Sequence, residues 1–428
     1  KEVDIYGRRY AQSYRRYYME FDIKAGSPGA LRFVLSQMVL PSSPLREVLV
    51  SIQDNIRIDP GTNEYMQIFS RHLSEFDFIK RLMGEQKGTF PELDRYKALM
   101  EQMLADIQEQ QGQGEKRDKE ESHALLKNRL SPLGRIAFAI LDQEKDSYVN
   151  LVKRWLESVA VPRPWQDIFL APVWQAYFLG MAEIESDIAK TWEELRQADI
   201  QPLQHKFPFL PASGEDVSIE ELRNATHPAG HFRRSFQALL LPYCGEEGQR
   251  WRKRSSPYKV LKLPETMLPT LNAIEQLGDV LWDRDGKEKF LEFMVRPAPL
   301  PLMPPREPLA ALSYLYVGDS AVFGFNQKPS WKRIRCSWKD PSSAAVGIEF
   351  AGRSRSARIK RTIEVPPSYW SFYRLLQKAK QPAAFDRNRN ISTVQWTIMS
   401  PAGNGEGVSL DIAFDIKGDP WSVFKLPR

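Results

Sequence analysis

Along the first two thirds of the chain, apolar residues recur every three or four positions, the spacing that lines one face of an α-helix. In PSSPLREVLVSIQDNIRI, Leu45, Val48, Leu49, Ile52 and Ile56 form such a stripe behind a Ser-Pro start. Proline suits a first helical turn, so this stretch predicts an amphipathic helix. Leu93, Tyr96, Met100, Met103 and Ile107 predict a second. Helical spacing resumes from Leu133 to about Leu195 and includes Trp155, Trp165, Trp174 and Trp192. Within it, VPRPW and APVW are expected to be elbows, because proline ends or starts helices. Near the start, Tyr6, Tyr10, Tyr14, Tyr17, Tyr18 and Phe21 suggest an aromatic core stripe, with Arg8, Arg9, Arg15 and Arg16 on a solvated face.

From Phe293 onward the period falls from 3.6 to 2. In GVSLDIAFDI, Val408, Leu410, Ile412, Phe414 and Ile416 alternate with Ser409, Asp411, Ala413 and Asp415, and Val394, Trp396 and Ile398 alternate with polar neighbours in the same way. LSYLYVGDSAVFGFN predicts a hairpin turning at Gly318 and Asp319. Short strands separated by turns imply an antiparallel sandwich. One helix, YWSFYRLLQKA, is expected to dock on it through Trp370, Tyr373, Leu375 and Leu376. The fold class is therefore α+β multidomain, with N-terminal helical domains followed by a C-terminal antiparallel β-sandwich. GQGEKRDKEESH, Gly112 to His123, lacks apolar residues and predicts an exposed linker. The expected division is a helical domain over 1–118, a second over 119–205, a small helical subdomain over 206–292 and the sandwich with its helix over 293–428.

Composition is that of a soluble globular protein: 428 residues, 42% apolar and 27% charged. No apolar run reaches the ~20 residues that span a bilayer. The opening at Lys1, inside YGRRYAQSYRRYY and without Met or leader, suggests a fragment with a membrane anchor upstream. Charge is uneven. Phe293 to Arg428 holds 20 Lys and Arg against 10 Asp and Glu, a net of +10, within an overall net of +6. Such a domain suits an acidic partner, nucleic acid or anionic lipid. Two cysteines, Cys244 and Cys336, are too few for a disulfide framework. A bond between them would close a ~90-residue loop worth about 4 to 5 kcal/mol, yet they fall in different expected domains.

THPAGHFRRSF holds the one spacing that suggests metal, with His227 and His231 four residues apart. Upstream, VSIEELRNA offers Ser218 as N-cap with Glu221 three residues on, a capping box. Pro228 disfavours helical backbone at His227, and Gly230 terminates helices. The two imidazoles are therefore expected to flank a turn, as exposed or capping residues. The acid of zinc protease helices is also missing beside the first His. GxSxG, HExxH, P-loop and CxxC motifs are absent from the sequence, and GNGEG, Gly403 to Gly407, precedes a strand and suggests a hairpin turn. No catalytic residue, cofactor or metal is assigned.

Ordered motifs spread over most of the chain resemble the periplasmic, C-terminal region of the IcmF/TssM family, the inner-membrane-anchored component of the type VI secretion membrane complex. They begin with Tyr10, Tyr14 and Tyr17, followed by the helix start Ser43 to Arg46. Trp192 and Glu193 precede KFPF, Lys206 to Phe209; VSIEEL and HPAGHFRRSF come next. LEFMVRP, VGDS, RCSWKDP, WSFYRLL and DPWSVFKLP close the series in the family's order. Two departures stand out. The family's Pro-Gly-Gly turn is Pro228-Ala229-Gly230 here, and the cysteine that often precedes its Tyr-Pro-Phe turn is absent between Trp192 and Phe207. They suggest a diverged member, or one from the related type IVB apparatus.

The resemblance implies a non-enzymatic scaffold that crosses the periplasm. Its C-terminal domain would bind the outer-membrane lipoprotein TssJ; it would partner TssL at the inner membrane and oligomerise into a channel-like core. A stable interface of that kind covers ~800 Å² on each partner and centres on a few aromatic or Arg anchors. Trp331, Arg355 and Tyr369, each in a predicted loop or edge, are the candidate anchors. Exposed aromatics on a sandwich leave a cell-wall glycan-binding module as an alternative. SRSARIKR, Ser354 to Arg361, raises nucleic acid, but alternating charge on a strand edge is ordinarily edge protection, so nucleic acid is not expected.

Overall fold

A computed structural model describes all residues except 21–22, 60, 84–89, 110–128, 248–249, 255–257, 259–260, 299–308, 326–327, 352–357, 381–383, 400–408 and 428. Arg355, Val408, Phe21, the Gly112–His123 segment and GNGEG lie outside the described residues. The chain divides into two compact units. One comprises Lys1–Lys190 with Lys253–Leu263, the other Thr191–Arg252 with Pro264–Arg428.

The first unit is helical: α1 (Glu2–Met19), α2 (Pro28–Met38), α3 (Pro44–Ile56), α4 (Glu64–Leu73), α5 (Asp77–Met83), α6 (Pro91–Gln108), α7 (Pro132–Leu141), α8 (Tyr148–Ser158) and most of α9 (Arg163–Leu195). Ser43 caps α3 by accepting from the Arg46 amide, and Leu45, Leu49, Ile52 and Ile56 are buried, as the stripe predicted. The five positions whose spacing predicted α6, Leu93, Tyr96, Met100, Met103 and Ile107, are all buried. Tyr96, Trp155 and Phe169 form an aromatic cluster at 5.0 to 5.3 Å between centroids. The Tyr96 hydroxyl donates to the Phe169 carbonyl and the Trp155 indole to the Glu92 carbonyl, so the polar tips of both rings are satisfied.

Two expectations fail here. The N-terminal tyrosines do not form one buried stripe: Tyr18 is buried, but Tyr6 is 61% and Tyr17 51% exposed. Five tyrosines over 13 positions span more of a helix circumference than α4 covers, and Gly7 and Ala11 hold the buried face instead. APVW is not an elbow either, since Pro172 lies inside α9. Proline removes one backbone donor, but Phe169, Val173, Ala176 and Tyr177 are fully buried on both sides of it. Their packing outweighs the local preference.

The second unit begins with the end of α9, a π-turn (Arg196–Ile200) and α10 (Gln201–His205), followed by α11 (Ile219–Thr226), α12 (His231–Leu239) and α13 (Met267–Leu281). The Ser218–Glu221 capping box at α11 is present as predicted. A short pair, β1 (Cys244–Glu247) and β2 (Arg250–Lys253), precedes α13.

The strands β3 (Leu291–Pro297), β4 (Leu309–Val317), β5 (Ser320–Gly324), β6 (Lys332–Cys336), β7 (Ser342–Ala351), β8 (Arg358–Ser368), β9 (Ala384–Asp386), β10 (Ile391–Met399) and β11 (Ser409–Lys417) build two antiparallel sheets. Their orders are β6-β3-β11-β10-β9 and β5-β4-β7-β8. Val394, Trp396, Ile412 and Phe414 of the first sheet and Leu315, Val322, Val346 and Ile348 of the second are buried. The β4–β5 hairpin turns at Gly318, whose φ of +55° a side chain would resist. The interrupting helix, α14 (Ser371–Gln377), buries Phe372, Tyr373, Leu375 and Leu376 behind Trp370, and the Trp396 indole donates to the Leu375 carbonyl.

Candidate partner interface

The chemistry of the candidate surface depends on how each exposed group is already engaged. Trp331 precedes β6 and is half-buried, with the Arg296 guanidinium 4.6 Å and the Lys417 ammonium 5.1 Å from its ring centroid. Arg296 also donates to Asp415 at 2.9 Å, so the indole rests on a charged pair of the outer face of its sheet. Tyr369 is half-buried at the bend between β8 and α14. The Arg335 amide donates to the Ser320 hydroxyl, joining the β6 and β5 edges. Because β8 is the other edge of the β5 sheet, Trp331 and Tyr369 lie at opposite sides of the sandwich and do not form one patch.

The outer face of the five-stranded sheet is polar and internally paired. Arg335 and Arg333 reach Glu292 at 2.9 and 3.5 Å. Asp411 accepts from the Thr397 hydroxyl at 2.6 Å, from Lys380 at 3.1 Å and from the Gln395 amide at 2.6 Å. These donors, Thr397 foremost, hold its carboxyl below the ordinary range.

The outer face of the four-stranded sheet is aromatic along β4 and β5. Tyr314, Tyr316 and Phe323 form a chain with centroids 5.0 and 5.7 Å apart. Tyr314 lies across Gly347 to meet the Thr362 hydroxyl. Phe323 is 41% and Phe325 52% exposed. The predicted hairpin by itself did not mark these residues as a surface patch. Their signal was present, since aromatics occupy the positions that alternate with buried Leu315 and Val317.

The histidines flank a turn, as predicted. His227 is the C-cap of α11, bonds the Gly286 carbonyl through Nε2 and packs edge-on against Trp282. His231 opens α12 with Nδ1 2.7 Å from Asp199 Oδ2 and Nε2 3.5 Å from Ser235 Oγ. That order is the order of a hydrolase triad. However, 3.5 Å exceeds a hydrogen bond between such groups, and Ser235 is simply the next turn of the same helix. The imidazole ties the π-turn to α12, and burial pushes the Asp199 carboxyl up while His231 draws it down. Cys244 and Cys336 are free thiols. Among the described residues no group of His, Cys, Asp and Glu is arranged to hold a metal, and no helix is long and apolar enough to cross a membrane.

No protein-family model matches the chain, and no curated protein matches it. Solved structures do. A chain of a "Type VI secretion system membrane core complex" aligns with TM-score 0.65 and 17% identity, covering 97% of this chain and 81% of its own. A chain of a "Type VI membrane complex" aligns with TM-score 0.67 and 15% identity, covering 100% and 79%. The likeness is one of fold, and it runs through both the helical unit and the sandwich. The resemblance read from the ordered motifs is thus matched at the level of architecture.

Proposed function

We propose that this chain is a structural, non-enzymatic scaffold of a type VI secretion membrane core complex, the periplasmic C-terminal region of an IcmF/TssM-type protein. The observation that carries the reading is the fold shared along essentially the whole chain with two solved chains of such complexes. A chance likeness between sandwiches would not extend through the thirteen described helices, α1 to α13, that precede this one. On this reading the chain oligomerises, an anchor upstream connects it to the inner membrane beside a TssL-like protein, and its basic C-terminal domain meets a TssJ-like outer-membrane lipoprotein. Trp331 and Tyr369 are proposed contacts, at opposite edges, together with Arg355.

The test is a binding titration of the full chain against a purified TssJ-like lipoprotein lacking its lipid, with Trp331→Ala and Tyr369→Ala alongside. Saturable binding weakened by at least one substitution supports the reading. Absence of binding to any such lipoprotein from the same envelope removes the partner assignment.

Phe323, exposed beside Tyr316, and the exposed Phe325 two positions on favour a second reading, a cell-wall glycan platform. Co-sedimentation with purified peptidoglycan, lost in Phe323→Ala, would establish it.

A further inference from the structure

The two sheets have four edges, and their treatment is unequal. At one side β5 and β6 meet through the Arg335–Ser320 bond. At the other, β9 is only three residues long, whereas β8 runs for eleven, Arg358–Ser368, and pairs only with β7 among the described strands. From Arg358 to Glu364 the strand is exposed at every position but Ile363; only beyond this stretch do Pro366 and Pro367 remove the donors.

Two contacts fix which backbone groups of β8 point outward. The Glu364 carbonyl accepts from Lys378 Nζ at 2.7 Å, from a side chain and not from the ladder. The Arg361 carbonyl lies against Gly347 of β7, where a Cβ would come within 2.7 Å of it. Antiparallel strands alternate in the direction of their N–H and C=O groups. Odd-numbered residues of β8 therefore face β7, and Arg358, Lys360 and Thr362 present N–H and C=O outward.

The side chains grade this edge chemically. On the outer face Arg358 and Lys360 share one buried carboxylate, Glu349, at 2.7 and 3.9 Å. Arg361 is exposed on the opposite face, beside Ile359, which is 37% exposed, and half-buried Ile363.

We propose that the β8 edge is a strand-addition site for an extended acidic segment of another protein. The incoming strand alternates: apolar residues cover Ile359 and Ile363, and carboxylates meet Arg358 and Lys360. Main-chain bonds to three outward N–H and C=O pairs supply affinity, and the alternating side chains supply selection. A second copy of β8 is a poor occupant, since its own Arg358, Lys360 and Arg361 would face the same cations. The domain's +10 charge attracts an acidic segment over longer range. The site stands whether or not the lipoprotein assignment does.

The test uses the full chain and a fluorescent capped peptide of four Ile-Glu repeats, measured by anisotropy. Controls are four Ile-Lys repeats and the Ile-Glu peptide N-methylated at alternate residues in either phase. Saturable binding is expected for the Ile-Glu peptide, and for its form N-methylated in the phase that faces away from β8, but not for the Ile-Lys peptide. N-methylation in the phase that faces β8 should weaken it at least about tenfold, because main-chain donors are lost. Lys360→Pro removes an outward donor without touching the β7 ladder and should weaken binding about as much, while Lys360→Ala should have a smaller effect that shrinks in salt. Unchanged melting of both variants shows that the fold persists. Absence of saturable binding overturns the proposal. So does equal binding of both N-methylated peptides, which marks plain charge attraction, or a concentration-dependent dimer abolished by Lys360→Pro, which makes a second copy the occupant.

Discussion

Arg374 lies over the ring of Phe207, its guanidinium carbon 3.7 Å from the centroid, although 167 positions separate them in the chain. The same guanidinium donates to Asp216 through Nε at 3.0 Å and to the Ser213 carbonyl at 2.9 Å. Next to it, the Trp370 indole donates to the Val217 carbonyl at 2.9 Å, and Phe207 meets Trp421 edge-on. One arginine on α14 thus fastens the segment before α11 to the sandwich.

Replacing Arg374 with Ala should leave Asp216 with an unpaired charge and uncover Phe207. A loss of about 2 to 4 kcal/mol is expected in the unfolding transition of this unit. Arg374→Lys should recover less than half, since an ammonium cannot bond two acceptors and stack at once. Denaturant melts of the three proteins decide; equal midpoints for Lys and Arg would refute the planar stacking role.

Glu221 gives a pH dependence with a definite sign. Burial alone would raise its carboxyl, but Lys206 at 2.8 Å and the Ser218 amide and hydroxyl more than offset this and hold it below the ordinary glutamate range. A depressed folded-state pKa contributes stability that is present above the unfolded value and lost as pH falls through the folded one. Glu221→Gln should therefore cost about 1 kcal/mol at neutral pH, and its melting curve should converge with the parent's as the acid protonates. A constant difference across that range would mean that charge plays no part.

Gly347 is needed for room. A Cβ there would come within 2.5 Å of the Tyr314 ring and 2.7 Å of the Arg361 carbonyl. Gly347→Ala should destabilise by about 2 kcal/mol through overpacking. Adding Tyr314→Ala should relieve the first clash but not the second, so the double variant should be less destabilised than the sum of the singles. Strict additivity in a thermodynamic cycle would contradict the contact.

Burial pushes the Cys244 thiol up to about 12 and Cys336 further in the same direction. Native protein at about pH 8 should therefore react slowly with Ellman's reagent, because the thiolate is the nucleophile. Denatured without reductant, it should release two thiols per chain. A denatured count near zero would reveal a disulfide.

Local sequence pattern alone was enough for α3, α6, the capping box at α11, the β4–β5 hairpin and the β10–β11 alternation. In each, the determining interactions lie within a few residues: a Ser side chain on an amide three positions on, a glycine at positive φ, an apolar face repeated at the period of the element. The turn between His227 and His231 was legible for the same reason, since Pro228 and Gly230 act on their own neighbours. Proline at position 172 misled, because burial of a long helix on either side outweighs one missing donor. The N-terminal tyrosines misled because spacing reveals a face but not how much of it a partner helix will cover.

What the tertiary structure alone decided is everything that depends on distant partners. Arg374 and Phe207 carry no mark of each other in the sequence. Trp331 and Tyr369 gave no sign of lying at opposite edges, since strand order follows from how two sheets bury their inner faces together. The outward parity of β8 likewise depends on its register with β7. A single-residue slip would exchange every ladder-bound group for an exposed one.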